Sequence, residues 1–160
     1  MDQRLKLEVV DRREFVVGGA AAAMLVALLG RTGTATAQDK QPTFDEAMKA
    51  IVGDKKADES QVDIKLPEIA ENGNTVPYSV TVESPMSDDS YVKTVHVLSS
   101  GNPSPTIATF HFTPMSGKAE ISSRMRLAKT QDIYAVAELS DGSIHVGKRT
   151  VKVTIGGCGG

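Results

Sequence analysis

From residue 62 onward, apolar and polar positions alternate with a period of two, the spacing that turns every second side chain of a β-strand toward a core. Val62, Ile64 and Leu66 alternate with Gln61, Asp63 and Lys65, and Pro67 stops the run. Val76, Tyr78, Val80 and Val82 follow the turn sequence Glu71-Asn72-Gly73-Asn74. Pro77 has no N–H to give, which predicts an edge position or a late entry into hydrogen bonding. Further strands are predicted over Tyr91 to Leu98, around Ala108, Phe110 and Phe112, over Ala119 to Leu127, and over Ile133 to Leu139. Asp141-Gly142 is a two-residue hairpin signal before a last strand from Ser143 to Ile155. The apolar parity of that strand reverses between Val146 and Val151, which predicts a bulge near Gly147.

Helical spacing occurs once in this part of the chain. Phe44, Ala47, Met48 and Ile51 fall on one face, Thr43-Phe44-Asp45-Glu46 has the form of a capping box, and Gly53 suits the position after the last turn. A short helix near residues 43–52 follows, and the charged segment Asp54 to Gln61 reads as a loop. Seven strands with closely spaced turns and no crossover helices predict an all-β fold, an immunoglobulin-like antiparallel β-sandwich over residues 38–155. A closed barrel is the alternative architecture.

The first 37 residues follow a different rule. Arg12-Arg13 precede an uncharged apolar run from Val16 to Gly30, and Ala35-Thr36-Ala37 supplies a small-x-small cleavage pattern. The run is shorter than the roughly 20 apolar residues of a membrane span. Paired arginines with a mild apolar core match a twin-arginine export signal over residues 1–37, which places the mature protein in the periplasm, free of the membrane.

Composition narrows the function. Of 160 residues, 40% are hydrophobic and 24% charged, with a formal net charge of -2, so neither disorder nor a nucleic-acid groove is expected. A single cysteine, Cys158, excludes an internal disulfide framework, an all-cysteine metal site and a dithiol exchange site. His96, His111 and His145 lie in predicted strands without ligand spacing and read as solvent-facing, so no metal site is expected. Only two glycines follow Cys158, which removes a cupredoxin-type copper site, and no Gly-x-Ser-x-Gly elbow or phosphate loop is present. No catalytic residues are assigned.

The end of the chain, Gly156-Gly157-Cys158-Gly159-Gly160, is where the composition becomes informative. Glycine at this density opposes regular structure and predicts a flexible arm over residues 156–160. Three residues beyond Ile155, at about 3.3 Å each, give Cys158 a range of roughly 10 Å. Without bulky neighbours the thiol can enter a narrow channel. It can also link two chains by a disulfide, which is the alternative use of Cys158 in a periplasmic interaction module. Lys148, Arg149 and Lys152 on the preceding strand read as a solvated face or as an attraction for an anionic partner.

The terminal Gly156-Gly157-Cys158-Gly159-Gly160 resembles the carrier arm of the SoxY family, the sulfur-carrying subunits of bacterial thiosulfate-oxidising systems. Val76-Pro77-Tyr78 through Val82-Glu83-Ser84-Pro85-Met86, and Asp141-Gly142 through Val146-Gly147-Lys148 to Val151-Lys152-Val153-Thr154, are similar to that family as well. Asp11 departs from the Ser or Thr such export signals often carry. The resemblance implies a covalent carrier with no bound cofactor and no enzymatic activity of its own. Cys158 would be the attachment point for sulfur intermediates, as S-thiosulfonate and sulfane adducts, with Gly156, Gly157, Gly159 and Gly160 forming the arm. It implies a heterodimer with SoxZ. The transient partners would be SoxXA, a haem enzyme that loads thiosulfate; SoxB, a manganese-dependent hydrolase; and SoxCD, a molybdenum–haem oxidase.

Overall fold

The computed structural model describes residues 41–157. Its helix α1, Phe44–Val52, starts where the local chemistry dictates. The Glu46 amide donates to Thr43 Oγ1 at 3.3 Å, and the Thr43 amide donates back to the Glu46 carboxylate at 2.7 Å. Two of the helix's orphan N–H groups are satisfied in this way, an arrangement typically worth about 1 kcal/mol. Gly53 ends the helix at φ 61°, a conformation that favours glycine, and its amide donates to Lys49 O at 2.8 Å.

Nine strands follow: β1 Ala57–Asp58, β2 Val62–Lys65, β3 Ile69–Asn72, β4 Val76–Val82, β5 Val92–Ser99, β6 Thr106–His111, β7 Ala119–Met125, β8 Gln131–Leu139 and β9 Ile144–Ile155. One sheet has the order β1-β9-β8-β5-β6, with β3 also paired to β9; the other has the order β2-β4-β7. The seven strands read from alternation are all present. The additional pair, β1 and β3, runs parallel to β9, with Ala57 opposite Ile144 and Ile69 opposite Lys152. Residues 54–61 are therefore not wholly loop.

The two sheets bury their facing side chains in one core. Val76, Tyr78, Val80 and Val82 of β4 meet Val95 and Val97 of β5, Ile133, Ala135 and Ala137 of β8, and Val151 of β9. A smaller cluster lies on the opposite face of the larger sheet, where Ala47 of α1 packs over Leu98, Val136 and Ile144. Pro77 is tolerated in the central strand β4 because β2 pairs only with Ser79 to Val82, so beside Pro77 only β7 is bonded.

The predicted bulge at Gly147 is absent: β8 and β9 stay in continuous register from Gln131–Val151 to Glu138–Ile144. The parity reversal has another cause. Ile144 and Val146 face α1, whereas Val151 and Val153 face the sandwich core, so each half of β9 is apolar on the face that is covered there. Register shifts occur instead at β5: opposite Val97 and Leu98 the extra residue is Ile107 of β6, and between Val92 and Thr94 against β8 it is Lys93 of β5.

Gly147 has a packing role. A Cβ there would lie 2.8 Å from Val62 O and 2.9 Å from Val62 Cγ1 in the opposing sheet. Gly147→Ala is expected to destabilise the domain by about 1–3 kcal/mol through overpacking, measured by urea unfolding. Wild-type stability in that variant would contradict this account of the contact.

Candidate functional site

Strand β9 delivers the chain to the root of the glycine arm. Gly73, in the turn after β3, donates its N–H to Ile155 O at 2.7 Å. Leu127, just beyond β7, donates to Gly73 O at 2.8 Å, and Gly157 donates to Leu127 O at 2.9 Å. Three separate segments thus close on one another by backbone hydrogen bonds alone.

Such a closure leaves no space for side chains. A Cβ at Gly73 would collide with the Leu127 carbonyl oxygen and lie 2.8 Å from Gly157 N. At Gly156 it would collide with Ala128 O, and at Gly157 it would meet Gly73 O at 2.9 Å. Gly157 is buried. The expectation of a flexible extension beginning at Gly156 is corrected for these two residues: they are glycines because other backbone lies against them. Cys158, Gly159 and Gly160 lie outside the described residues, as do residues 1–37, where an export signal is expected.

The receiving loop is itself braced from the side. Asn102 Nδ2 donates to Arg126 O at 2.8 Å, while Asn102 Oδ1 accepts from Ala128 N at 3.0 Å and from Gln131 Nε2 at 2.8 Å. Gln131, buried at the start of β8, accepts in turn from Gly101 N at 2.7 Å. Nothing in the hydrophobic pattern marks Asn102 or Gly73. The only local signal was their setting in the turn sequences Asn72-Gly73-Asn74 and Gly101-Asn102-Pro103.

The other candidates take structural places. Lys148 pairs with Asp132 at 2.9 Å and lies 5.4 Å from the centre of the Tyr134 ring; Arg149 pairs with Asp63 at 3.7 Å. Hydrogen bonds from Thr150 and then Lys148 hold the Asp132 carboxyl below the usual carboxylate range. The solvated-face reading suits both cations. His111 is exposed and bonds through Nδ1 to Thr94 at 3.3 Å, while half-buried His96 bonds through Nδ1 to Thr109 at 3.0 Å. His145 departs from the solvent-facing expectation: it is buried, between Ser60 and Ser143. Among the described residues no group of three or more His, Cys, Asp or Glu converges on a metal position, and no helix is long and apolar enough to cross a membrane.

The sequence profile of the family described as "Sulfur oxidation protein SoxY" matches residues 48–158. The chain belongs to the SoxY family. A solved sulfur carrier protein SoxY from Chlorobium limicola f thiosulfatophilum is 37% identical, covers 71% of this chain and 97% of its own, and superimposes with a TM-score of 0.59. A superoxide reductase (neelaredoxin) from Ignicoccus hospitalis matches at 16% identity over 59% of this chain and 80% of its own, with a TM-score of 0.53. That likeness shows a shared immunoglobulin-like fold and nothing further. No curated protein matches the chain. As a SoxY protein it is a sulfur carrier of the Sox thiosulfate-oxidation system, not an enzyme, and the interaction-module alternative is set aside. SoxY proteins carry sulfur on cysteine, work with the other Sox components and are periplasmic.

Burial, then the neighbouring His111, depress the His96 pKa below 6.5, with Glu138 acting weakly the other way. A depressed folded value means the unfolded chain takes up the proton first, so this contribution is present above pH 6.5 and lost as pH falls through the folded value. NMR titration is expected to place the His96 ring below 6.5, and His96→Gln to flatten the fall in stability below that pH. Titration above 6.5 would contradict the assignment.

Proposed function

We propose that Cys158 is the covalent attachment point for sulfur in this SoxY protein. The observation that carries the proposal is arithmetic: members of the family hold sulfur on cysteine, and this chain has one cysteine, inside the matched region. Gly156, Gly157, Gly159 and Gly160 flank it as the carrier arm. The domain plan is an export signal over 1–37, a β-sandwich over 38–155 and the arm over 156–160.

The Cys158 thiolate and the sulfane sulfur of thiosulfate form an S–S bond, releasing two electrons to the haem enzyme SoxXA and leaving Cys–S–S–SO3⁻. Water then cleaves the sulfur–sulfur bond to the sulfone group under SoxB, giving sulfate, two protons and the persulfide Cys–S–S⁻. SoxCD oxidises the outer sulfur with three waters, releasing six protons and six electrons to give Cys–S–SO3⁻. A further hydrolysis by SoxB, consuming one water, cleaves the S–S bond of Cys–S–SO3⁻ and returns the thiol, sulfate and one proton.

Every one of these steps takes its oxidant or hydrolytic water through a partner, and the structure of the arm root supports that division. The thiolate is the nucleophile, and its formation needs a nearby cation, base or helix N-terminus. The described group that bonds Gly157 is the neutral backbone carbonyl of Leu127. A passive thiol suits a carrier that visits several active sites, because any fixed activating shell would have to enter each channel. SoxZ is the stable partner in this reading, a heterodimer exported with this chain in the folded state. Arg12-Arg13 and Ala35-Thr36-Ala37 support the twin-arginine route.

Cys158→Ser is expected to abolish adduct formation with thiosulfate and the loading enzyme while leaving the unfolding midpoint and SoxZ binding unchanged. Intact-mass spectrometry reads the adduct directly. A normal thiosulfate adduct on the Ser variant would refute the assignment.

A further inference from the structure

We infer that Gly73 and Asn102 are positioning residues for the sulfur arm, clamping its root so that Cys158 projects from a fixed point one residue beyond a bonded amide. The inference rests on the carrier reading of Cys158 and adds to it the device that sets the arm's reach.

The clamp is built in two layers. The inner layer is the backbone closure in which Gly73 N donates to Ile155 O at 2.7 Å, Leu127 N to Gly73 O at 2.8 Å and Gly157 N to Leu127 O at 2.9 Å, tying the end of β9 to two turns distant in sequence. The outer layer is the Asn102 side chain, whose amide bonds Arg126 O, Ala128 N and Gln131 Nε2 and so fixes the loop that carries Leu127 and Ala128. Both layers are needed. Without Asn102 the loop loses its bonds at Arg126 O and Ala128 N and keeps Leu127's two backbone bonds and the one that Val153 N donates to Thr130 Oγ1; without glycine at 73 the three backbones cannot close.

Clamping changes what the arm can do. An arm free from Ile155 would sweep about 10 Å, and two additional glycines would multiply its conformers. With Gly156 and Gly157 held, Cys158 is the first residue past the anchor. A larger share of its conformers then points along one direction, which raises the effective concentration of the thiol in a docked active site. The partner must accordingly approach the Gly73–Leu127 end of the sandwich closely.

Three variants of the full carrier, in complex with its partner subunit, test this: Gly73→Ala, Asn102→Ala and Asn102→Asp. Three readouts apply: amide exchange at Gly157, the kcat/KM for enzymatic loading with thiosulfate, and the rate of Cys158 alkylation by iodoacetamide, which requires no docking. For Gly73→Ala and Asn102→Ala, Gly157 exchange is expected to rise about tenfold or more. Loading kcat/KM should fall about three- to tenfold while alkylation stays within about twofold of wild type. Asn102→Asp keeps the acceptor for Ala128 and Gln131 but loses the donor to Arg126 O, and should fall between. Should Gly73→Ala fail to fold, the Asn102 pair decides. A folded Asn102→Ala with wild-type exchange at Gly157 overturns the brace, and faster exchange with unchanged loading overturns the positioning role. A wild-type carrier that takes no adduct overturns the carrier reading itself, an outcome separate from either.

Discussion

The structure depends most on one close approach of backbone to backbone. At the end of β9, the Gly73 amide donates to Ile155 O, the Leu127 amide to Gly73 O and the Gly157 amide to Leu127 O, without a side chain among the bonded groups. Buried backbone polar groups must find partners, and in a segment too glycine-rich to continue a strand these are supplied by turns from two other places in the chain. The position where the sandwich ends and the carrier arm begins is thereby defined by geometry that only glycine permits at residues 73 and 156.

The same constraint explains the heavy use of β9. Along its length it pairs with β8 and also receives the parallel segments β1 and β3. Its first half is covered by α1 and its second half by the opposing sheet. A strand paired with three others and covered by α1 and the opposing sheet makes a rigid support for the residues that follow it. Rigidity up to Gly157 fits a carrier protein that is not itself an enzyme and whose chemistry is performed by other components of the Sox system.

Much of this was legible in the sequence where signals are local. The Thr43–Glu46 capping box and Gly53 place α1 to within a residue of its start, and alternation marks β2 and β4 to β9. Ala57–Asp58 has too few positions for a period to register, Ile69-Ala70-Glu71-Asn72 does not alternate, and the partner of both lies far along the chain. The parity reversal in β9 was visible but ambiguous, because a bulge and a change of covered face produce the same pattern. Least legible was the arm root. Glycines at 156 and 157 read as freedom when viewed alone, and as close packing once Ala128 and Gly73 are seen against them. His145 was hidden for a related reason: its burial comes from the β1 side of the sheet, which the sequence did not reveal.

The central claim is that one sulfur atom of this chain, in Cys158, carries the sulfur of thiosulfate between enzymes. Peptide-level mass spectrometry of the protein isolated from thiosulfate-oxidising cells tests it most directly, comparing samples with and without reductant. The account predicts sulfur-bearing forms confined to the peptide containing Cys158 and removed by reductant. A Cys158 peptide that stays unmodified while thiosulfate is being consumed would contradict it.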